Sequence, residues 1–130
     1  MTQMNHEPCN ETRSTRLHYQ LRCLRPAGHD GAHAWTPELL RAGVAATIGK
    51  GARSSQVASA CAETGSVYFA AVGGAAAALA RHVTAMEPVA WAELGTEALV
   101  RMTLDSFPVF VAIDTCGTDL YELARGEWRS

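Results

Sequence analysis

Ile48-Gly49-Lys50-Gly51-Ala52-Arg53-Ser54-Ser55 joins a short apolar run, Val44 to Ile48, to a stretch in which Val57, Ala60 and Cys61 recur at helical spacing. The run predicts a strand, the glycines a turn, and Ser54 or Ser55 the cap of a helix that ends at Gly65. Val67 to Val72, nearly all apolar, predicts a second strand, so the segment reads strand, turn, helix, strand. The turn also carries chemistry. Free N–H groups at a helix start attract anions, glycines permit close backbone approach, and Lys50 and Arg53 add two cations. The pattern is not a Walker A loop. Gly43 stands one residue too far from Gly49, and Gly51 occupies the place where Ser or Thr follows the lysine. The plain alternative is a solvated loop charge, although Lys50 is the only lysine in the chain.

Working outward, Thr36-Pro37-Glu38 reads as an N-cap, a first-turn proline and an early acid, opening a short helix that Gly43 closes. After Val72, Gly73-Gly74 turns the chain into a helix of small residues from Ala75 to about Ala85, with Pro88 forbidding its continuation. Val89 to Ala92 predicts a short strand, Thr96 to Leu99 a helical turn, Val100 to Leu104 a strand and Val109 to Ile113 the strongest strand. Asp114-Thr115-Cys116-Gly117 predicts a hairpin turn leading into Leu120-Tyr121. The fold class expected is α/β: a small mixed sheet with helices packed on it, preceded by an irregular Cys/His-rich segment.

The composition sets the limits. With 130 residues and 13.9 kDa, 48% of them hydrophobic, the chain has material for one core and not comfortably for two. Residues 1–34 hold most of the histidines but almost no apolar periodicity, so the expected organisation is a Cys/His-rich segment over 1–34 and a folded domain over 35–130. Lys+Arg 11 against Asp+Glu 13 gives a net charge of -2, which offers no general attraction to nucleic acid or to acidic membranes. The longest uncharged run, Thr64 to Ala80, is too short to span a bilayer, and the polar N-terminus lacks the apolar stretch of a secretory signal, so a cytoplasmic location is expected. In that compartment Cys9, Cys23, Cys61 and Cys116 are expected as free thiols or metal ligands rather than disulfides. Cys61, on the apolar face with Val57, reads as a core residue. Glu93 and Glu97 read as a solvated helix start, and Arg81 and His82 as the cationic end of the preceding helix.

Several blocks in order carry a resemblance. Trp35-Thr36-Pro37-Glu38-Leu39-Leu40, Ile48 to Ser54, Tyr68 to Ala76, Ala92 to Ala98, Asp105 to Val109 and Asp114 to Asp119 together resemble the C-terminal domain of class I, iron-sulfur-dependent fumarate hydratases. The β subunit of L-tartrate dehydratase is the same domain. The resemblance runs from about Trp35 to Tyr121 and implies a swivelling β/β/α domain. It implies a [4Fe-4S] cluster on a separate α domain or subunit, with this domain supplying groups that bind anions. By the match Lys50 is the substrate-contacting, catalytic lysine, Gly49 and Gly51 shape its loop, and Arg53 stands where the family often has an arginine.

The departures from that pattern matter too. Family members carry a Thr-Thr-Ser-Gly-Arg-Met-Asp-like stretch just before the segment matching Trp35-Thr36-Pro37, whereas here Ala27 to His33 offers neither a Thr nor an Arg at the matching places. What stands there instead, Cys9, Cys23, His29 and His33, makes a tetrahedral zinc complement, against the alternative of a passive, oxidisable tail. The expected function is therefore a hydro-lyase β-type domain that binds a small hydroxy-dicarboxylate and works with an iron-sulfur α partner. The alternative is a non-catalytic, zinc-stapled binding or assembly module on the same scaffold. A homo-oligomer is expected under either, since open sheet edges need covering.

Overall fold

A computed structural model describes residues 18–21, 34–72 and 74–127. In chain order the elements are β1 (His18–Leu21), α1 (Thr36–Arg41), β2 (Ala46–Gly49), α2 (Ser55–Thr64), β3 (Val67–Ala70), α3 (Ala76–Ala80), β4 (Val83–Ala90), a 3-10 segment (Ala92–Glu97), β5 (Leu99–Leu104), β6 (Phe110–Ile113) and α4 (Leu120–Glu127). The architecture is mixed α/β. Where the sequence predicts one small sheet there are two, each of three strands: an antiparallel sheet in the order β1-β5-β4 and a mixed sheet in the order β2-β3-β6. In the mixed sheet β2 runs parallel to β3, with Ile48 opposite Phe69, and β6 pairs antiparallel with β3 on its other side. The parallel pair needs a crossover, and α2 supplies it.

Helix α2 forms where its signals place it. Ser54 is extended at the N-cap, Gly65 takes the left-handed conformation at the C-terminal end with φ 68, and Ser66 N–H closes the last turn onto the Cys61 carbonyl at 3.1 Å. Its Val57, Ala60 and Cys61 lie one turn apart on a single face and are fully buried against Leu40 of α1, Tyr68 and Ala70 of β3, and Ala112 and Ile113 of β6. This cluster is the hydrophobic core. The Ser66 hydroxyl, itself buried, donates to the Val44 carbonyl at 2.9 Å and ties the end of α2 to the entry of β2. An exposed ion pair between Arg41 and Glu63 links α1 to α2, a contact worth about 0–1 kcal/mol at the surface.

Four local expectations are corrected. The first helix includes Thr36, and the cap position falls to Trp35, which makes no side-chain cap bond. The alanine-rich helix stops at Ala80 rather than near Ala85, because Val83 to Ala90 pairs with β5 instead. Pro88 sits inside that strand without breaking it: β4 is an edge strand, where a residue lacking an N–H can be accommodated, and the register shifts between Pro88 and Ala90. The helical turn expected at Thr96 to Leu99 lies earlier, at Ala92–Glu97, and β5 begins at Leu99. The predicted hairpin after β6 reduces to a single bridge between Ile113 and Asp119, after which α4 begins. Asp119 caps that helix by accepting the Tyr121 N–H at 2.8 Å, and Glu122 stands three residues after the cap, the spacing of a helix start.

Candidate anion-binding loop

The segment from Gly49 to Ser54 leaves the carboxyl end of β2 and enters α2, beside the carboxyl end of β3. Open α/β sheets bind ligands at that edge, because loops diverge there and helix N-termini point toward it. The parallel pairing runs one step past the strands, with Ala71 N–H donating to the Gly49 carbonyl at 2.7 Å. Gly51 has φ +80, a left-handed conformation that favours glycine and lets the chain turn sharply after Lys50. Lys50 itself is exposed.

Tyr68, in the middle of β3, organises this loop from beneath. Its side chain is completely buried, and its hydroxyl donates to the Gly51 carbonyl at 2.9 Å. Burial pushes the phenol above its usual pKa. The Arg53 guanidinium works the other way, while Tyr121 and Asp119 add to the upward shift. The phenol is therefore a neutral donor at physiological pH. Above it lies Arg53, half-buried, with Cζ at 4.4 Å from the ring centroid in a cation–π contact. Gly49 makes that arrangement possible, since a Cβ at this position would collide with Nη2 of Arg53. Gly49, Lys50, Gly51 and Arg53 thus form one compact group at the end of β2. Sequence reasoning missed Tyr68 as a member, although a single phenol in an otherwise apolar strand is a signal, because a buried hydroxyl needs a partner.

A second turn packs against the same helix. The Asp114 carboxylate accepts N–H groups from Cys116 at 2.9 Å and Thr118 at 2.8 Å. Slight burial raises its pKa, but these backbone bonds outweigh that and hold the carboxyl below the usual aspartate value. Gly117, with φ +80, lies so close to α2 that a Cβ would stand 2.8 Å from the Ala58 carbonyl oxygen. At the opposite end of β2 and β3, an open groove of about 330 Å³ is lined by Leu40, Gly43, Val44 and Ser66, and its one charged member, Arg41, is paired with Glu63.

The described residues do not fit an iron-sulfur cluster. Cys61 is buried in the core, where burial first and Asp114 second push its thiol up, and Cys116 is exposed on a turn. Among the described residues no group of three or more His, Cys, Asp or Glu converges as a metal site. Cys9, Cys23, His29 and His33, the zinc set of the sequence reading, lie outside the described residues. Glu93 and Glu97 are exposed, as expected of a solvated turn. The His82 ring contacts the Asp105 carbonyl at 3.0 Å and meets Phe107 edge-on, which fastens it to the loop after β5. No helix among the described residues is long and apolar enough to cross a membrane.

Comparison with known proteins gives the family. The family model described as "Fumarase C-terminus" matches residues 20–124, which includes the whole Gly49–Ser54 loop and Tyr68. The anaerobic class I fumarate hydratase of Escherichia coli (strain K12) is 40% identical over 76 residues, which are 58% of this chain and 14% of that protein. Fumarate hydratase 2 of Leishmania major is 40% identical over 76 residues, 58% of this chain and 13% of its own length. The aerobic class I enzyme of Escherichia coli (strain K12) is 38% identical over the same length, again 14% of the relative. The chain therefore spans about one seventh of the relatives it matches. With the family model covering most of its length, the chain belongs to the fumarase C-terminus family.

Proposed function

We propose that this chain is the anion-binding domain of a fumarate hydratase-like hydro-lyase and that Lys50 binds one carboxylate of a small hydroxy-dicarboxylate substrate. The observation that carries the reading is the placement of Lys50, the chain's only lysine, between two glycines on a braced loop at the carboxyl ends of the parallel strands. A lysine there supplies a point charge, and the neighbouring backbone can approach a ligand closely because neither Gly49 nor Gly51 has a side chain. Arg53 contributes a second positive charge within the same turn, and the start of α2 adds its partial charge.

Fixing a carboxylate in this way has two chemical consequences. It orients the substrate, and it offsets the carboxylate's negative charge, which eases loss of a proton from the adjacent carbon during elimination of water. The described residues offer no ligand set for an iron-sulfur cluster, so in this reading the group that activates the departing hydroxyl belongs to a partner α domain or subunit. The chain alone then binds dicarboxylate without turning it over. The test is a dehydratase assay of the chain with and without an iron-sulfur α partner. Activity should appear only with the partner and should fall at least a hundredfold in Lys50→Ala, the scale of losing a group that contacts the reacting charge. Full activity in the Lys50→Ala complex would remove Lys50 from the reaction.

A further inference from the structure

The structure assigns Tyr68 a role of its own: it is the positioning residue that holds the Lys50 loop, by a hydroxyl bond to the Gly51 carbonyl and by a ring that seats the Arg53 guanidinium. The functional consequence rests on the carboxylate-binding reading, but the mechanical claim does not. Lys50 lies on an exposed turn, and a lysine on a flexible stem binds weakly unless its backbone is fixed. The fixing comes from the core: Tyr68 has no exposed surface and belongs to the same buried cluster as Val57, Cys61 and Ile113. Its bond to Gly51 therefore attaches the loop to the buried core. Gly49 completes the device, since any side chain there meets the Arg53 guanidinium and drives it off the ring.

The single lysine provides a direct readout. An endoproteinase specific for lysyl bonds has one site in the whole chain, Lys50–Gly51, the peptide bond whose carbonyl neighbour Tyr68 holds. In the full chain, Tyr68→Phe keeps the ring and removes only the hydroxyl. Losing one such bond should raise the cleavage rate about fivefold. Ser66→Ala is the matched control, because it deletes a buried hydroxyl donating to a backbone carbonyl at the other end of the same strands. Its rate should stay near that of the unaltered chain. Gly49→Ala, which displaces Arg53 while leaving the hydroxyl bond, should give a smaller acceleration.

Fumarate serves as the ligand probe. It should slow cleavage of the unaltered chain, and Tyr68→Phe should need severalfold more fumarate for the same protection, while Ser66→Ala should need no more. Equal cleavage in Tyr68→Phe and Ser66→Ala overturns the brace. Faster cleavage with unchanged fumarate dependence overturns the positioning role. Faster cleavage in Tyr68→Phe with no protection of any chain by fumarate upholds the brace and counts instead against the carboxylate reading.

Discussion

The two sheets of this molecule are built to different standards. The mixed sheet β2-β3-β6 is packed by α1 and α2 and contains the core cluster of Leu40, Val57, Cys61, Tyr68 and Ile113, all nearly or fully buried. Among the described residues, strands β4 and β5 of the antiparallel sheet contribute none to that cluster. Strand β4 is exposed along almost its whole length, Met86 is 63% exposed, and its cross-strand ion pair, Arg101 with Glu87 at 3.6 Å, is also exposed. The candidate Gly49–Ser54 loop sits on the packed half, where its support comes from buried side chains.

Substitutions should separate the halves in that order of size. Ile113→Ala removes a fully buried side chain and should lower unfolding free energy by about 2–5 kcal/mol in a denaturant titration. Met86→Ala in the other sheet should change it by less than about 0.5 kcal/mol. Similar losses at both positions would break the comparison. Gly117→Ala combines a left-handed backbone with a collision against the Ala58 carbonyl and should cost about 1–3 kcal/mol. The Asp119 cap is a smaller term: Asp119→Ala should cost about 1 kcal/mol, seen as a lower midpoint with an unchanged denaturant slope.

The smallest effect is one of pH. Because the Asp114 carboxyl is held below its ordinary value of 3.8, its turn contributes stability that is present in full above that value and is lost as pH falls through the lower folded value. Asp114→Asn can still accept the two N–H bonds but cannot titrate. The acid limb of its stability curve should therefore be shallower than that of the unaltered chain, measured by thermal midpoints across acidic pH.

The packed half was the more legible one in the sequence. Ser54 and Gly65 bound α2 as read, and the strand-turn-helix-strand order and the Gly-Lys-Gly loop follow from residue types alone. Cys61 lies in the core as its spacing with Val57 indicates. Legibility failed where long-range pairing outweighs local preference. The alanine run favours helix on its own, yet Val83 to Ala90 completes a ladder with β5, a partner that local periodicity cannot reveal. Helix α4 escapes a reading of periodicity for a different reason: Leu120-Tyr121 alternates too briefly to distinguish a hairpin from a helix, and the Asp119 to Glu122 cap spacing is the deciding signal. The contact of Tyr68 with the candidate loop is not legible in the sequence, because it joins positions seventeen residues apart.

Calorimetric titration of fumarate into the unaltered chain and Lys50→Ala tests most directly the proposal that Lys50 on its loop binds a carboxylate. Lys50 is exposed, so the substitution should leave thermal stability unchanged. The expected result is saturable binding in the unaltered chain that is lost in Lys50→Ala at the same melting temperature. Equal binding in both would contradict the claim and move the anion site away from this loop.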